Sequence, residues 1–165
     1  MNWREFISGI LENRRDDPQF KRKPTFFSPA SIEGISDLEA NLNTRMPPSL
    51  QSLLLETNGI MEMLSIDGGE WFDDLWVIWQ IDEIIRTNLF FRGERKKGVY
   101  EREFEQLLFF AGAGCDGILF AHPINQNREA DPDVVIWHPI EDELTDAAPD
   151  LQTFLKNWWT GKLSV

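Results

Sequence analysis

Hydrophobic positions along this chain follow two patterns, a helical spacing at its ends and short unbroken runs in its middle. Trp3, Phe6, Ile7, Ile10 and Leu11 fall at i, i+3, i+4, i+7 and i+8, which is one apolar stripe of a helix. Ile32, Ile35, Leu38 and Leu42 repeat that spacing behind Ser31, a residue type suited to an N-cap. Gly34 weakens this second helix by about 1 kcal/mol relative to Ala. A third helix opens at Pro48 and buries Leu50, Leu53 and Leu54. It is expected to end at Asn58-Gly59, two residues that tolerate the left-handed conformation. Ile81, Ile84, Ile85 and Leu89 predict a short fourth helix. Leu151, Phe154, Leu155 and Trp158 predict a closing helix opened by Pro149, with Asp150 in its first turn and Lys156 in its last, as the helix dipole favours.

The unbroken runs are Leu75–Trp79, Leu107–Ala111, Ile118–His122 and Val134–Trp137, each short enough to be a strand. Asp67-Gly68 predicts a hairpin turn ahead of the first of them. Helices at both ends with strands between, and no βαβ alternation, predict an α+β domain. Its centre is a mainly antiparallel sheet, with the N-terminal helices and the C-terminal helix packed on it. Residues 1–29 read as an N-terminal helix followed by an extended connection interrupted by Pro18, Pro24 and Pro29, and residues 30–165 as the domain proper, the whole forming one compact unit. Phe91–Glu105 is rich in charge and reads as a solvated loop, as does the polar segment Asn125–Asp133; Glu141-Asp142-Glu143 reads as an acidic turn.

Between two of the apolar runs, Gly112 to Gly117 spells G-x-G-x-x-G. That string binds a dinucleotide only where a strand precedes it and a helix follows. The strand is present, but Ile118–His122 is a second short apolar run that Pro123 stops, and Asp116 places a negative charge where a phosphate would sit. The glycines therefore read as the turn of a hairpin between central strands, with Ile118 and Phe120 on one face and Leu119 on the other.

Composition narrows the partners. The 165 residues suit one domain, 42% of them are hydrophobic, and seven Trp and twelve Phe supply large side chains for a core or an interface. The net charge is −12. Nucleic acid and anionic membranes are held by Lys and Arg, so both are disfavoured, whereas a basic protein would be steered toward this chain. Cys115 is the single cysteine and can form no internal disulfide; no apolar core of a signal peptide follows Met1, and no apolar run is long enough to span a membrane. A cytoplasmic protein is expected.

Little in the sequence points to catalysis. His122 and His138 lie at strand ends without ligand spacing and read as hydrogen-bonded surface residues; no metal or other cofactor is expected. Cys115 lacks an activating motif and reads as a small turn residue. Carboxylates cluster at Asp73-Asp74, Asp131–Asp133 and Glu141–Glu143, and paired carboxylates can hydrolyse glycosides. Neighbours on a strand point to opposite faces, however, so Asp73 and Asp74 make no obvious acid–base pair. Two readings stay open. One is a partner-binding surface of Glu70, Trp71, Asp73 and Asp74, in which Trp71 is either an anchor or a core residue. The other is a small hydrolase using an acidic cluster near Asp73 and Asp116.

The order of elements adds a resemblance. Ile32–Leu42, carrying Ile35-x-x-Leu38-Glu39-x-x-Leu42, is followed by Met46-Pro47-Pro48, then Leu53-Leu54 and Asn58-Gly59. The Trp76–Trp79 strand, the Phe110–Gly117 glycine–aspartate turn and Phe154-Leu155 come later in the same order. This succession resembles the SUKH superfamily over about residues 30 to 160. Asn43 stands where a glycine often follows the first long helix, and the first thirty residues have no counterpart. The superfamily includes a fungal cell-wall-assembly regulator, and its bacterial members are mostly immunity proteins that bind and neutralise polymorphic toxins, often nucleases. The resemblance thus implies a non-catalytic protein-binding module whose basic partner is a cognate toxin domain, with no catalytic residue and no cofactor.

Overall fold

A computed structural model of the chain describes residues 1–14, 17–124 and 131–163. The elements run α1 (Trp3–Glu12), β1 (Phe20–Phe26), α2 (Ile32–Leu42), α3 (Pro48–Glu56), β2 (Ile60–Ile66), β3 (Phe72–Ile78), α4 (Ile81–Lys96), a 3-10 turn (Phe104–Gln106), β4 (Leu107–Gly112), β5 (Leu119–Pro123), β6 (Val134–His138), β7 (Glu143–Ala148) and α5 (Leu151–Trp159). The strands form two antiparallel sheets, ordered β1-β2-β3 and β4-β5-β6-β7. The N–H of Trp79, just past β3, donates to the carbonyl of Phe110 in β4 at 2.9 Å and ties the sheets together. The class is α+β, as the succession of elements predicts.

Both faces of the second sheet are covered, which is why β4, β5 and β6 are almost continuously apolar rather than alternating. On one face Phe154 of α5 packs edge-on against Phe110 and Phe120, at centroid distances of 5.5 and 4.9 Å. On the other, Phe91 of α4 meets Phe109 and Trp137 at 5.6 and 4.9 Å. Phe120 and Leu119 thus lie on opposite faces, since Leu119 pairs with Trp137 and Phe120 with Ile136 across the ladder. The glycine turn is a hairpin, and its glycines let it approach β3. A Cβ on Gly114, at φ +77°, would collide with Leu75 Cδ2, and one on Gly112 would sit 3.2 Å from Trp79.

Local chemistry sets most boundaries. Ser31 accepts from the Gly34 N–H at 3.0 Å and Asp150 from the Thr153 N–H at 2.7 Å, so each is an N-cap. Asn43 takes φ +44° at the end of α2, filling the left-handed C-cap position that favours glycine.

Several expectations are corrected. The third helix ends at Glu56 with Thr57 as C-cap, and the Asn58 side chain instead accepts from the Ile81 N–H at 3.0 Å, at the start of α4. The extended connection contains a strand: β1 pairs with β2 over Phe20–Phe26, and Pro24 is tolerated because β1 is an edge. The charged stretch after Phe91 is not all loop. Helix α4 runs on to Lys96, because the Arg92 guanidinium is buried against the carbonyls of Leu42 and Leu107, at 2.6 and 3.5 Å. In α5, Trp159 is the fully buried tryptophan, and Trp158 is half-buried.

His122 is buried rather than on the surface, at 1% exposure. Its ring stacks on Phe110 at 4.7 Å, and Nδ1 lies 3.1 Å from the Asp133 carbonyl. Nε2 is buried and has no hydrogen-bond partner among the described residues, and burial pushes the imidazole pKa down to about 4. His138 keeps its expected surface bond, Nε2 to the Thr145 hydroxyl at 2.9 Å. Most of the polar segment Asn125–Asp133 lies outside the described residues. Helix α1 packs onto the body: Trp3 is 1% exposed, its indole N–H donates to Ser52 at 2.8 Å, and the Glu56 carboxylate accepts from the N–H groups of Trp3 and Arg4.

Candidate partner-binding site

The β2–β3 hairpin turns at Asp67-Gly68, where both central residues have positive φ (+50° and +73°), as a type I′ turn requires. The Gly69 N–H donates to the Ile66 carbonyl at 2.9 Å, and the Ser65 hydroxyl donates to the Gly69 carbonyl at 2.8 Å. Beyond this turn the chain stays exposed from Ile66 through Asp74. Glu70, Trp71, Asp73 and Asp74 all lie in that run, which brings the sequence-predicted site residues together at one end of the three-stranded sheet.

Trp71 is not core; it is 40% exposed. The ammonium of Lys23, from β1, sits 4.2 Å from its ring centroid, a cation–π contact that steadies the indole. Asp73 pairs with Met63, and Met63 pairs with Lys23, so Lys23, Met63 and Asp73 form a row on one face. Asp74 is the extra residue of a bulge between the Met63↔Asp73 and Glu62↔Leu75 pairs. Nearer the body, Trp76 stacks on Phe27 at 5.1 Å and anchors the hairpin.

A buried carboxylate supports this end of the sheet. Glu62 is 1% exposed, accepts from the Trp158 indole N–H at 3.2 Å and lies 3.7 Å from Arg22. Desolvation holds its pKa above the usual carboxylate range, against the lowering pull of Arg22.

Asp116 belongs to a different surface. With Asp74, Trp76, Trp79 and Gly114 it lines a groove of about 380 Å³ between β3 and the glycine hairpin. Asp73 does not line that groove. The carboxylate brought near Asp116 is therefore Asp74. Among the described residues, no three or more His, Cys, Asp and Glu side chains gather as a metal site, and Cys115 is an exposed turn residue. No helix of the described residues is long and apolar enough to cross a membrane.

Sequence reading missed the contribution of β1 and the exposed Phe20, Ile66 and Phe72 beside the site. No alternating signal was available, because Lys21, Arg22, Lys23, Pro24 and Thr25 separate Phe20 from Phe26.

Fold and site together define an α+β domain that presents an exposed hairpin, with acids set around aromatic side chains. A family model described as SMI1 / KNR4 family (SUKH-1) matches residues 29–157, and the chain belongs to that family. The SUKH group includes toxin immunity proteins and cell-wall regulators. Comparison with curated proteins finds no match. Helix α1 and strand β1 precede the matched residues.

Proposed function

We propose that the protein is a non-catalytic binding module, an immunity protein that neutralises a bacterial polymorphic toxin, and that Glu70, Trp71, Asp73 and Asp74 meet a basic toxin domain. The observation that carries the reading is the unbroken exposure of Ile66–Asp74, an acid-and-tryptophan tip standing clear of the core. Family membership supports the class of partner. The net charge of −12 supports a basic one, because long-range attraction raises the encounter rate of opposite charges. Trp71 supplies a large rigid apolar face, the kind of side chain that dominates dissociation rates. A nuclease toxin fits the charge, since a surface that holds phosphates also suits acids. A cytoplasmic site of action follows from this role.

The test is protection in cells. Co-expression with a cognate toxin domain, sought among the neighbouring genes, rescues growth, and Asp73→Lys with Asp74→Lys removes the rescue while the protein stays folded. Full rescue by that variant refutes this surface. A hydrolase working from the groove is the competing reading, favoured by the meeting of Asp74 and Asp116 beside Trp76 and Trp79. Turnover of a glycoside by purified protein, lost in Asp74→Asn or Asp116→Asn, would replace the binding reading.

A further inference from the structure

The G-x-G-x-x-G segment forms a hairpin turn, and that turn shapes one wall of the groove beside β3. Two backbone bonds fix it. The Ala113 N–H donates to the Ile118 carbonyl and the Ile118 N–H to the Cys115 carbonyl, both at 3.0 Å. Because Gly112 and Gly114 have no side chain, the turn comes close enough to Trp79 and Leu75 to enclose a groove of about 380 Å³. The opposite wall is aromatic. Trp76, half-buried, stacks on Phe27 at 5.1 Å, and Trp79, buried, is held at its backbone by the bond to β4. Both indoles are in place before any ligand arrives, so little order has to be gained on binding.

Two carboxylates complete the groove. Asp74 enters from the β3 bulge and Asp116 from the glycine turn, both exposed. No lysine or arginine lines the groove, and among the described residues neither carboxylate has an ion pair or a hydrogen-bonded partner. Asp142, on another surface pocket, is by contrast already taken by Arg102 at 2.7 Å. The ligand that answers this lining is a flat, delocalised cation. An anion would be repelled by both acids, and a purely apolar group would bury them without a partner. An ammonium is compact and strongly hydrated. A guanidinium is planar and weakly hydrated, lies against indole and forks to carboxylates.

We propose that the groove receives an arginine side chain of the toxin domain, its guanidinium against Trp76 and Trp79 and paired with Asp74 and Asp116. The proposal rests on the toxin reading for the source of that arginine, and it adds to the hairpin tip a specificity pocket reached through Asp74.

Heteronuclear NMR on the full chain tests the chemistry without the toxin. A blocked Gly-Arg-Gly peptide, titrated to about 20 mM, shifts the backbone amides of Gly112–Gly117 and the indole N–H signals of Trp76 and Trp79, with half-saturation below about 10 mM. The same peptide with citrulline, a neutral isostere, in place of arginine leaves them unmoved, and the lysine peptide binds at least about threefold more weakly. Asp116→Asn weakens both the arginine peptide and the cognate toxin domain at least about fivefold. Asparagine tolerates the φ of +50° at this position, so the turn stays folded. Asp37→Asn, exposed on α2, changes neither. No shift with the arginine peptide, equal shifts with citrulline, or indifference of the peptide to Asp116→Asn overturns the proposal. So does a neutral disaccharide that moves the same signals in the peptide's place, which would favour the hydrolase. A toxin bound at full strength by Asp116→Asn overturns it too and leaves the growth test standing. A wild-type chain that gives no rescue refutes the toxin reading, and with it the source of the arginine, whereas the titration still reports the groove's preference.

Discussion

Protonation of His122 should make the fold sensitive to mild acid. The imidazole is 1% exposed, stacked on Phe110, and its pKa is about 4 against an ordinary 6.5. The folded protein therefore keeps this ring neutral at pH values where the unfolded chain has already taken up a proton. The sign follows directly: stability is complete above about pH 6.5 and falls as pH drops toward 4, because protons bind the unfolded state first. A difference of about 2.5 pKa units corresponds to about 3 kcal/mol in full, of which about 2 kcal/mol is lost between pH 7 and pH 4.5. Glu62 works the other way. Its pKa is raised, so its folded form binds a proton more readily and gains on acidification. A variant comparison separates the two. His122→Asn keeps a donor for the Asp133 carbonyl and removes the titrating ring. Urea unfolding followed by tryptophan fluorescence, at several pH values, gives stability for both proteins. The wild-type advantage should shrink by about 2 kcal/mol between pH 7 and pH 4.5. An advantage constant to within about 0.5 kcal/mol would refute the buried, neutral imidazole.

Other perturbations have equally definite outcomes. Phe154→Ala, fully buried among Phe110, Phe120 and Trp158, should cost about 3–5 kcal/mol in a denaturant melt, and a loss below about 1 kcal/mol would make α5 peripheral. Gly114→Ala places a methyl against Leu75 at a positive φ, so it should destabilise by more than about 1 kcal/mol, and Leu75→Ala in the same chain should lower that added cost. Arg92→Met strips the Leu42 and Leu107 carbonyls of their donor, and its cost of about 1–3 kcal/mol should appear as fraying of the second half of α4 in hydrogen exchange. Trp71→Ala should leave the melt within about 0.5 kcal/mol while speeding release of the toxin, and a large loss of stability would return Trp71 to the core.

What could be read from the sequence was whatever a local pattern specifies. The stripe at Trp3, Ile7 and Ile10, the Ser31 cap and the Asp67-Gly68 turn each depend on residues a few positions apart, and each appears in the fold. The glycines of Gly112–Gly117 were legible as a turn, although the approach to Leu75 that needs Gly114 was not. Features fixed by distant partners were hidden. Arg92 looks like a solvated charge until the carbonyls of Leu42 and Leu107 meet it, fifty and fifteen residues away. Asn58 reads as a helix terminator, yet its side chain serves a helix starting at Ile81. Strand β1 exists because β2 offers it a ladder, and nothing in Lys21-Arg22-Lys23 announces that. The candidate site divides the same way. Glu70, Trp71, Asp73 and Asp74 are neighbours in sequence and could be named together. The exposed Phe20, Ile66 and Phe72 beside them come together only through the register of three strands.

The central claim is that the β2–β3 tip engages a basic partner through its acids, and stopped-flow association with the toxin domain across salt concentration tests it most directly. The association rate should be fast at low salt and fall steeply as salt screens the attraction. Asp73→Lys with Asp74→Lys should slow association at low salt and flatten its salt dependence, while Trp71→Ala acts chiefly on dissociation. An association rate and salt slope unchanged by the charge reversal would contradict the claim.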